Sequence, residues 1–566
     1  MTTELAIVNG TVFDPLNQTG GEKQDIFIRD GKIVNSVRRK ARTINASGMV
    51  VMPGGVDIHS HIAGSKVNSG RLLRPEDHRK DVEPRTKHTL SGVGHSVPST
   101  RTTGYRYTRM GYTTVFEPAT PPLKTRHTHE ELNATPIIDK ACFPLLGNNW
   151  FVMEYLRDGK IEECAAYVAW MLKATKGYAI KIVDPGGVEV WGWGKFLRGL
   201  DDTVAHFDIT PREIVRGLCK VNKILNLPHP IHVHTNNLGN PGNYLTTIET
   251  MDAVRDLDDG KKPIIHITHV QFTGFSGSSW LNLGSGAPEI ADYINKHGHV
   301  SVDLGQVIFG DTTTMTADGP FQYFLHKLSG NKWVNVDVEA ETGSGIVPFQ
   351  YKRGNYVNAI QWGIGLELAL LVKDPWRVFM TTDHPNGGPF TAYPKVIAWL
   401  MSSKAREKTM SKINRTAKKR LDLPGIDREY TLEEISTVTR AAPAKSLGLT
   451  NKGHLGVGAD ADVAIYDLDP SKRDLEQNPI AIRRAFKEAA YTIKDGMIMS
   501  KKGQITGTRL GRTFYVESTI SSELESNLLK EINSKFKDYY TIEIDNYPIA
   551  ESFLHNPSKI SCKAEV

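Results

Sequence analysis

Only four of the 566 residues are cysteine, at Cys142, Cys164, Cys219 and Cys562, and no two stand close enough to make a Cys-x-x-Cys pair. That excludes a disulfide-stapled scaffold, a zinc ribbon and an iron–sulfur cluster built on this chain, and it fits a reducing compartment. Long apolar runs are missing too. None reaches the roughly 18 residues that a membrane-spanning helix needs, and Met1 to Asn9 has neither the basic nor the apolar region of a secretory signal. A cytoplasmic chain with no membrane span is expected. Charge of one sign is also scarce, since a net charge of +6 is small for this length, and nothing in the balance points to nucleic acid. One basic run, Arg406 to Arg420 with Lys408, Lys412, Arg415, Lys418 and Lys419 inside it, reads as a solvated helix face. Docking a partner subunit or steering an acidic substrate is the alternative.

What is present is an ordinary globular composition, 39% apolar and 23% charged, on a chain longer than one core usually supports. One large catalytic domain and a smaller one are expected. Residues 4–52 alternate short β-branched runs with turn signals, Asn9-Gly10 and Asp30-Gly31 reading as hairpin turns. The same texture returns at Asp460 to Tyr466, at Ala490 to Gly496 and at Gly503 to Ile505, so the two ends of the chain are expected to share one small β-sandwich. Between them, strands such as Ile231-His232-Val233-His234 and Val300 to Asp303 alternate with helical stretches at Glu162 to Lys176, Pro211 to Asn226, Ala287 to Lys296 and Tyr393 to Lys404. Alternation over about 330 residues predicts an α/β fold, a (β/α)8 TIM-like barrel. The expected boundaries are 1–52 and 451–515 for the small domain, 53–450 for the barrel and 516–566 for a C-terminal extension. Asp311 to Pro320 reads as a hydroxyl-rich loop over the barrel mouth.

Barrels of this kind carry their chemistry at the C-terminal ends of the strands, and the polar residues fall there. His59 and His61 are two apart after Val51 to Ile58, so on an extended chain their rings share one face and can chelate a metal. Lys181 interrupts the apolar run Ala179 to Val183. A buried ammonium is costly, so the lysine either snorkels or pairs with a carboxylate, or its amine is carboxylated and becomes an anionic ligand able to bridge two metals. His234, His269 and Asp383 each close a later strand. One buried histidine or aspartate is usually structural, but the order His-x-His, Lys, His, His, Asp along a barrel pattern reads as a metal site. His232 lies on the same strand face as His234 and competes with it as a ligand.

This order resembles that of the amidohydrolase superfamily, as does Lys452 to Asp462, the lead-in to a returning β domain. Asp57 to Gly64, Gly147-Asn148-Asn149-Trp150, His232 to Gly239 and Thr381 to Gly387 resemble more narrowly the A subunits of formylmethanofuran dehydrogenase and of the bacterial formyltransferase/hydrolase complex. That resemblance covers nearly the whole chain. It implies an amidohydrolase-type barrel in which His59 and His61 hold one zinc ion, and carboxylated Lys181 bridges it to a second held by His234 and His269. Asp383 would ligate the first zinc and shuttle protons. It further implies a binuclear zinc enzyme that reversibly hydrolyses an N-formylmethanofuran-like carrier to formate and amine, inside a hetero-oligomer whose redox centres sit on other subunits. The alternatives are a cyclic amidohydrolase of the dihydropyrimidinase or dihydroorotase type, with the same ligands, and a scaffold subunit without metal.

Overall fold

Eight short strands, each parallel to its neighbours, form the centre of the molecule in the computed structural model, which describes residues 4–338, 342–471, 474–540 and 543–565. They are β1 (Gly55–Asp57), β2 (Tyr112–Thr120), β3 (Asp139–Pro144), β4 (Lys181–Val183), β5 (Ile231–His234), β6 (Ile265–Ile267), β7 (Val300–Asp303) and β8 (Val378–Phe379). Continuous ladders run from β1 to β3 and from β4 to β8. Two single parallel bridges, Leu145 to Lys181 and Ser60 to His384, join these arcs into a ring. Strands buried on both faces must be apolar nearly throughout, and β-branched residues suit them. That is why Lys181, His232, His266 and Asp303, all buried in them, stand out.

Helices cover the ring where the apolar periodicity places them, at Ile161–Thr175, Pro211–Ile224, Ala287–Lys296 and Tyr393–Met401. The second starts at a capping box. Thr210 Oγ1 accepts from the Glu213 N–H at 3.2 Å while the Glu213 carboxylate accepts from the Thr210 N–H at 2.8 Å, and Pro211 opens the first turn.

The chain ends do share a sheet. Val50–Pro53 pairs antiparallel with Val463–Tyr466, which links the N-terminal strands to Tyr491–Lys494, Met497–Lys501 and Gln504–Ile505. Asp30-Gly31 makes the expected tight turn and Asp495-Gly496 makes another, with positive φ at all four residues. Asn9-Gly10 does not. It lies inside the strand Glu4–Asp14 at a register shift between Ile7 and Gly10, where Asn9 at φ 63° marks a bulge. Pairing continues on both sides of it, so the signal of a turn was satisfied by one extra residue in the ladder.

Buried charge binds this sheet to the barrel. Lys452 Nζ lies 2.5 Å from Asp139 Oδ2 on β3 and 2.5 Å from Asp462 Oδ2, and Lys494 Nζ is 3.1 Å from the same Asp139 oxygen. Each buried charge thus has opposite charges around it, as burial demands. The strand Thr513–Thr519 pairs parallel with β3 at Lys140 and with Pro557–Lys563, so the C-terminal segment extends the barrel sheet between β3 and β4.

Two readings of the sequence are corrected here. Asp311 to Pro320 is not a loop: Gly310–Thr316 is a strand in a three-stranded antiparallel sheet with Val334–Val338 and Thr342–Tyr351, followed by the helix Gly319–Ser329. A run of threonines is β-branched, and each member pairs in register with the strand Thr342–Tyr351. Arg406 is not part of a solvated face. It is buried and donates to the carbonyls of Trp399, Ile426 and Arg428, while Lys408, Lys412, Arg415, Lys418 and Lys419 are exposed.

Candidate metal centre

His59 and His61 follow β1 directly, and both rings are buried. His59 Nε2 lies 2.9 Å and His61 Nε2 3.2 Å from Asp383 Oδ1, which follows β8 across the closing bridge. The opposite edge of each ring meets a carboxylate: His59 Nδ1 is 3.1 Å from Asp303 Oδ2 and His61 Nδ1 is 2.9 Å from Glu117 Oε1. An imidazole whose Nδ1–H is held by a carboxylate presents its Nε2 lone pair, the state a metal ligand requires.

His234 and His269 form a second pair, with Nδ1 of the first 3.0 Å from Nε2 of the second. His234 Nε2 also reaches Asp318 Oδ2 at 3.2 Å. His269 Nδ1 and Asp383 Oδ1 are both buried without a hydrogen-bond partner. His59, His269 and Asp383 each offer a ligand atom within 4.8 Å of the others. Buried lone pairs converging without donors fit a cation better than they fit each other. The residues present therefore suit a divalent metal, and the nitrogen and oxygen donors suit zinc among others.

Lys181, fully buried at the start of β4, has one weak contact, Nζ to Thr268 Oγ1 at 3.4 Å. Burial carries its ammonium down to about 7, against the pull of Asp303 and Asp383. Burial likewise keeps His234 and His269 far below the usual histidine range, with the Lys181 charge adding to it. Burial acts the same way on His59, but Asp303 and Asp383 outweigh it and raise that ring to about 9. Asp303 and Asp383 sit far below the ordinary carboxylate range because, against burial, the His59 charge and hydrogen bonds from neighbouring imidazoles favour the ionised form.

The structure thus brings His59, His61, His234, His269 and Asp383 around one floor, with Lys181 beside them. His232 sits apart. It is one layer deeper, level with Lys181 in the β4–β5 register, and its Nε2 meets His59 Nδ1 at 3.0 Å. Two of these candidate ligands lie on strained backbone, His269 at φ 38° and Asp383 at φ 47°. Gly305 lets His269 approach, since a Cβ there would stand 2.4 Å from the Cβ of His269.

Sequence reading missed Asp303 and Glu117. Asp303 Oδ1 accepts from the backbone N–H of His269 at 3.0 Å and the Thr381 hydroxyl at 2.7 Å, so one carboxylate ties together β1, β6 and β8. Glu117 accepts from His61, from Lys66 at 3.0 Å and from the N–H groups of Ile62 and Ala63 at 2.7 and 3.2 Å. Both carboxylates interrupt apolar strands as Lys181 does, and that was the available signal.

Above the floor opens a cavity of about 790 Å³. Asp383, Asp318 and His269 face it from below, and Phe272, Trp280 and Phe321 are among its apolar walls. The inserted strand Gly310–Thr316 is tied to this floor through Asn386, whose Oδ1 accepts from the Met315 N–H at 2.6 Å and whose Nδ2 donates to Asp383 Oδ2 at 3.0 Å. The insert's threonine hydroxyls bond within the protein: Thr314 donates to Gln322 and Val347, and Thr316 to the Asp318 carbonyl. Among the described residues no helix is long and apolar enough to cross a membrane.

A model of the amidohydrolase family matches residues 42–499. Protein FwdA of Methanocaldococcus jannaschii is 53% identical over 562 residues, covering 98% of each chain. The A subunit of the formyltransferase/hydrolase complex Fhc of Methylorubrum extorquens is 36% identical over 556 residues, 96% of each. The crystal structure of the FhcABCD complex from that organism, with methylofuran, contains a chain 33% identical that superposes with a TM-score of 0.90 over 99% of this chain and 100% of its own. With similarity of this extent from end to end, the chain belongs to the amidohydrolase family and groups within it with FwdA and the Fhc A subunit.

Proposed function

We propose that this protein hydrolyses, reversibly, the formamide of an N-formylated methanofuran-like amine to formate and free amine, as one subunit of a multi-subunit cytoplasmic complex. The observation that carries the reading is the meeting of His59 Nε2 and His61 Nε2 at a buried Asp383 oxygen that makes no well-aligned hydrogen bond, on a chain similar throughout to the A subunit of a methylofuran-binding formyltransferase/hydrolase complex.

In this reading His59, His61 and Asp383 would hold one zinc ion and His234 and His269 a second, and Lys181, carboxylated on its amine, would serve as a ligand to both. Carbon dioxide adds to a neutral amine, and a lysine that burial has brought to about 7 supplies that form near neutral pH. Two such ions, when bound, lower the pKa of a water toward neutrality and polarise the formyl oxygen.

The chain's own residues do the rest. Asp383 takes a proton from the attacking water and delivers it to the amine nitrogen as the carbon–nitrogen bond breaks. Asn386, donating to Asp383 Oδ2, leaves Oδ1 turned to the floor. The apolar walls exclude bulk water and seat a flat ring such as the furan of a furfurylamine.

The test is formate release from an N-formyl furfurylamine carrier by the purified complex, alongside ring opening of a hydantoin or dihydrouracil. Formate release is expected. Ring opening alone would transfer the protein to the cyclic amidohydrolases, and a preparation that neither binds metal nor releases formate would leave a scaffold.

A further inference from the structure

A file of imidazoles runs through the barrel core beneath the site just described. His229 precedes β5 and is fully buried, with its Nδ1 3.0 Å from the carbonyl oxygen of Ser446. Its Nε2 is 3.1 Å from His232 Nδ1, and His232 Nε2 is 3.0 Å from His59 Nδ1. The far edge of His59 is the Nε2 that faces Asp383 at 2.9 Å. Three rings therefore connect a backbone carbonyl at the base of the barrel to a residue of the metal centre.

Hydrogen counting gives this file a direction. A carbonyl oxygen only accepts, so His229 must carry its hydrogen on Nδ1, and a neutral ring then offers a bare Nε2. His232 must donate to it from Nδ1, which leaves its own Nε2 bare in turn. His59 must then carry hydrogen on Nδ1, shared between His232 Nε2 and Asp303 Oδ2 at 3.1 Å. The reverse order would set the His229 Nδ1 lone pair against the Ser446 carbonyl. The Ser446 hydroxyl, farther away at 3.4 Å, does not remove that repulsion. Each of these two rings carries one hydrogen, since their hydrogen-bond partners are imidazoles, the Ser446 carbonyl and the Ser446 hydroxyl, with no carboxylate to hold a second proton.

We propose that His229 and His232 are positioning residues: anchored on the Ser446 carbonyl, they hold the hydrogen of His59 on Nδ1 and so commit its Nε2 lone pair to a metal ion. Neither touches the reacting atoms. The inference rests on the metal-site reading above and gives His232 a role distinct from that of a ligand. Asp303 acts on the same nitrogen, so two independent acceptors hold one hydrogen. A ring with either tautomer open to it would present a lone pair at Nε2 only part of the time, and affinity would fall with that fraction.

The experiment measures zinc affinity by chelator competition, and zinc per chain at saturation, for the full-length protein, His229→Leu, His229→Gln and His232→Leu. Leucine removes the acceptor or donor, and the glutamine amide can restore a hydrogen bond to His232. Zinc affinity is expected to drop about 10-fold or more in both leucine variants, as for other partners behind metal ligands, with H229Q retaining most of it and zinc per chain unchanged at saturation. Wild-type affinity in H229L overturns the proposal. Loss of one zinc per chain in H232L overturns it differently, by making His232 a ligand. A wild-type protein that binds no zinc refutes the underlying site instead. Should the leucine variants not fold, neutron diffraction from the zinc-loaded wild-type crystal reads the hydrogens directly. Deuterium on Nδ1 of His229, His232 and His59 is expected, and deuterium on Nε2 of His232 overturns the proposal.

Discussion

Asp303 Oδ2 lies 3.1 Å from His59 Nδ1 while its second oxygen accepts from the backbone N–H of His269. A single carboxylate at the end of β7 thereby positions candidate ligands that are 210 residues apart in sequence, residue 59 and residue 269. Holding ligands from separate strands in one geometry is what a preorganised site requires.

Replacing Asp303 with asparagine keeps the size but sets an amide where the carboxylate accepted from His59 and His266. Zinc affinity should fall about 10- to 100-fold. Chelator competition and circular dichroism, run together, separate this from unfolding. Unchanged affinity would show that Asp303 serves only the backbone of His269.

Lys181→Ala should remove both metals and the activity, because the bridging ligand goes with it. Propionate or acetate, able to enter the vacated space, should restore part of both. Metal analysis before and after adding the acid reads the result, and a variant that keeps two zinc ions would exclude a bridging role.

Asp383→Asn should lower kcat about 10²- to 10⁴-fold, the range for loss of a proton-transfer group. Metal content is measured on the same sample. A variant that keeps its zinc and its rate would move the proton shuttle elsewhere, Asp318 and Asp184 being the other carboxylates that face the cavity.

Acid stability should report Glu117. Burial pushes its carboxyl up, but Lys66 and His61 outweigh this and bring it down to about 2 from an ordinary 4.5. A depressed carboxylate contributes stability above its unfolded pKa and loses it as pH falls toward the folded one. Here the window runs from about pH 4.5 downward, and the full contribution is about 3 kcal/mol. In metal-free protein, the difference in unfolding free energy between wild type and Glu117→Gln should be greatest near pH 6 and shrink below pH 4.5. A pH-independent difference would assign the effect to packing.

Much of the barrel could be read from the chain. Runs such as Ile231 to His234 and Val300 to Asp303 carry a β-branched residue at every second position, and their strands fall where the runs do. The turns at Asp30-Gly31 and Asp495-Gly496 were legible because two residues with positive φ leave few alternatives. Asn9-Gly10 shows the limit, since a closely similar dipeptide also accommodates a bulge. The insert at Gly310–Thr316 was misread because its partner, Thr342–Tyr351, lies about 30 residues away and local pattern carries no information on that pairing.

The sequence by itself determined which residues can ligate a metal and at which strand ends they stand, because alternation of apolar and polar positions specifies element type and facing. Tertiary structure alone decided which of them meet. His234 joins His269 while His232 turns down to His59 and His229, although the two histidines share a strand face. Asp303 and Glu117 gained their importance the same way. Contact between residues far apart in the chain depends on barrel closure and register, which are properties of the whole ring of strands, whereas the local pattern reports only on a residue's immediate neighbours.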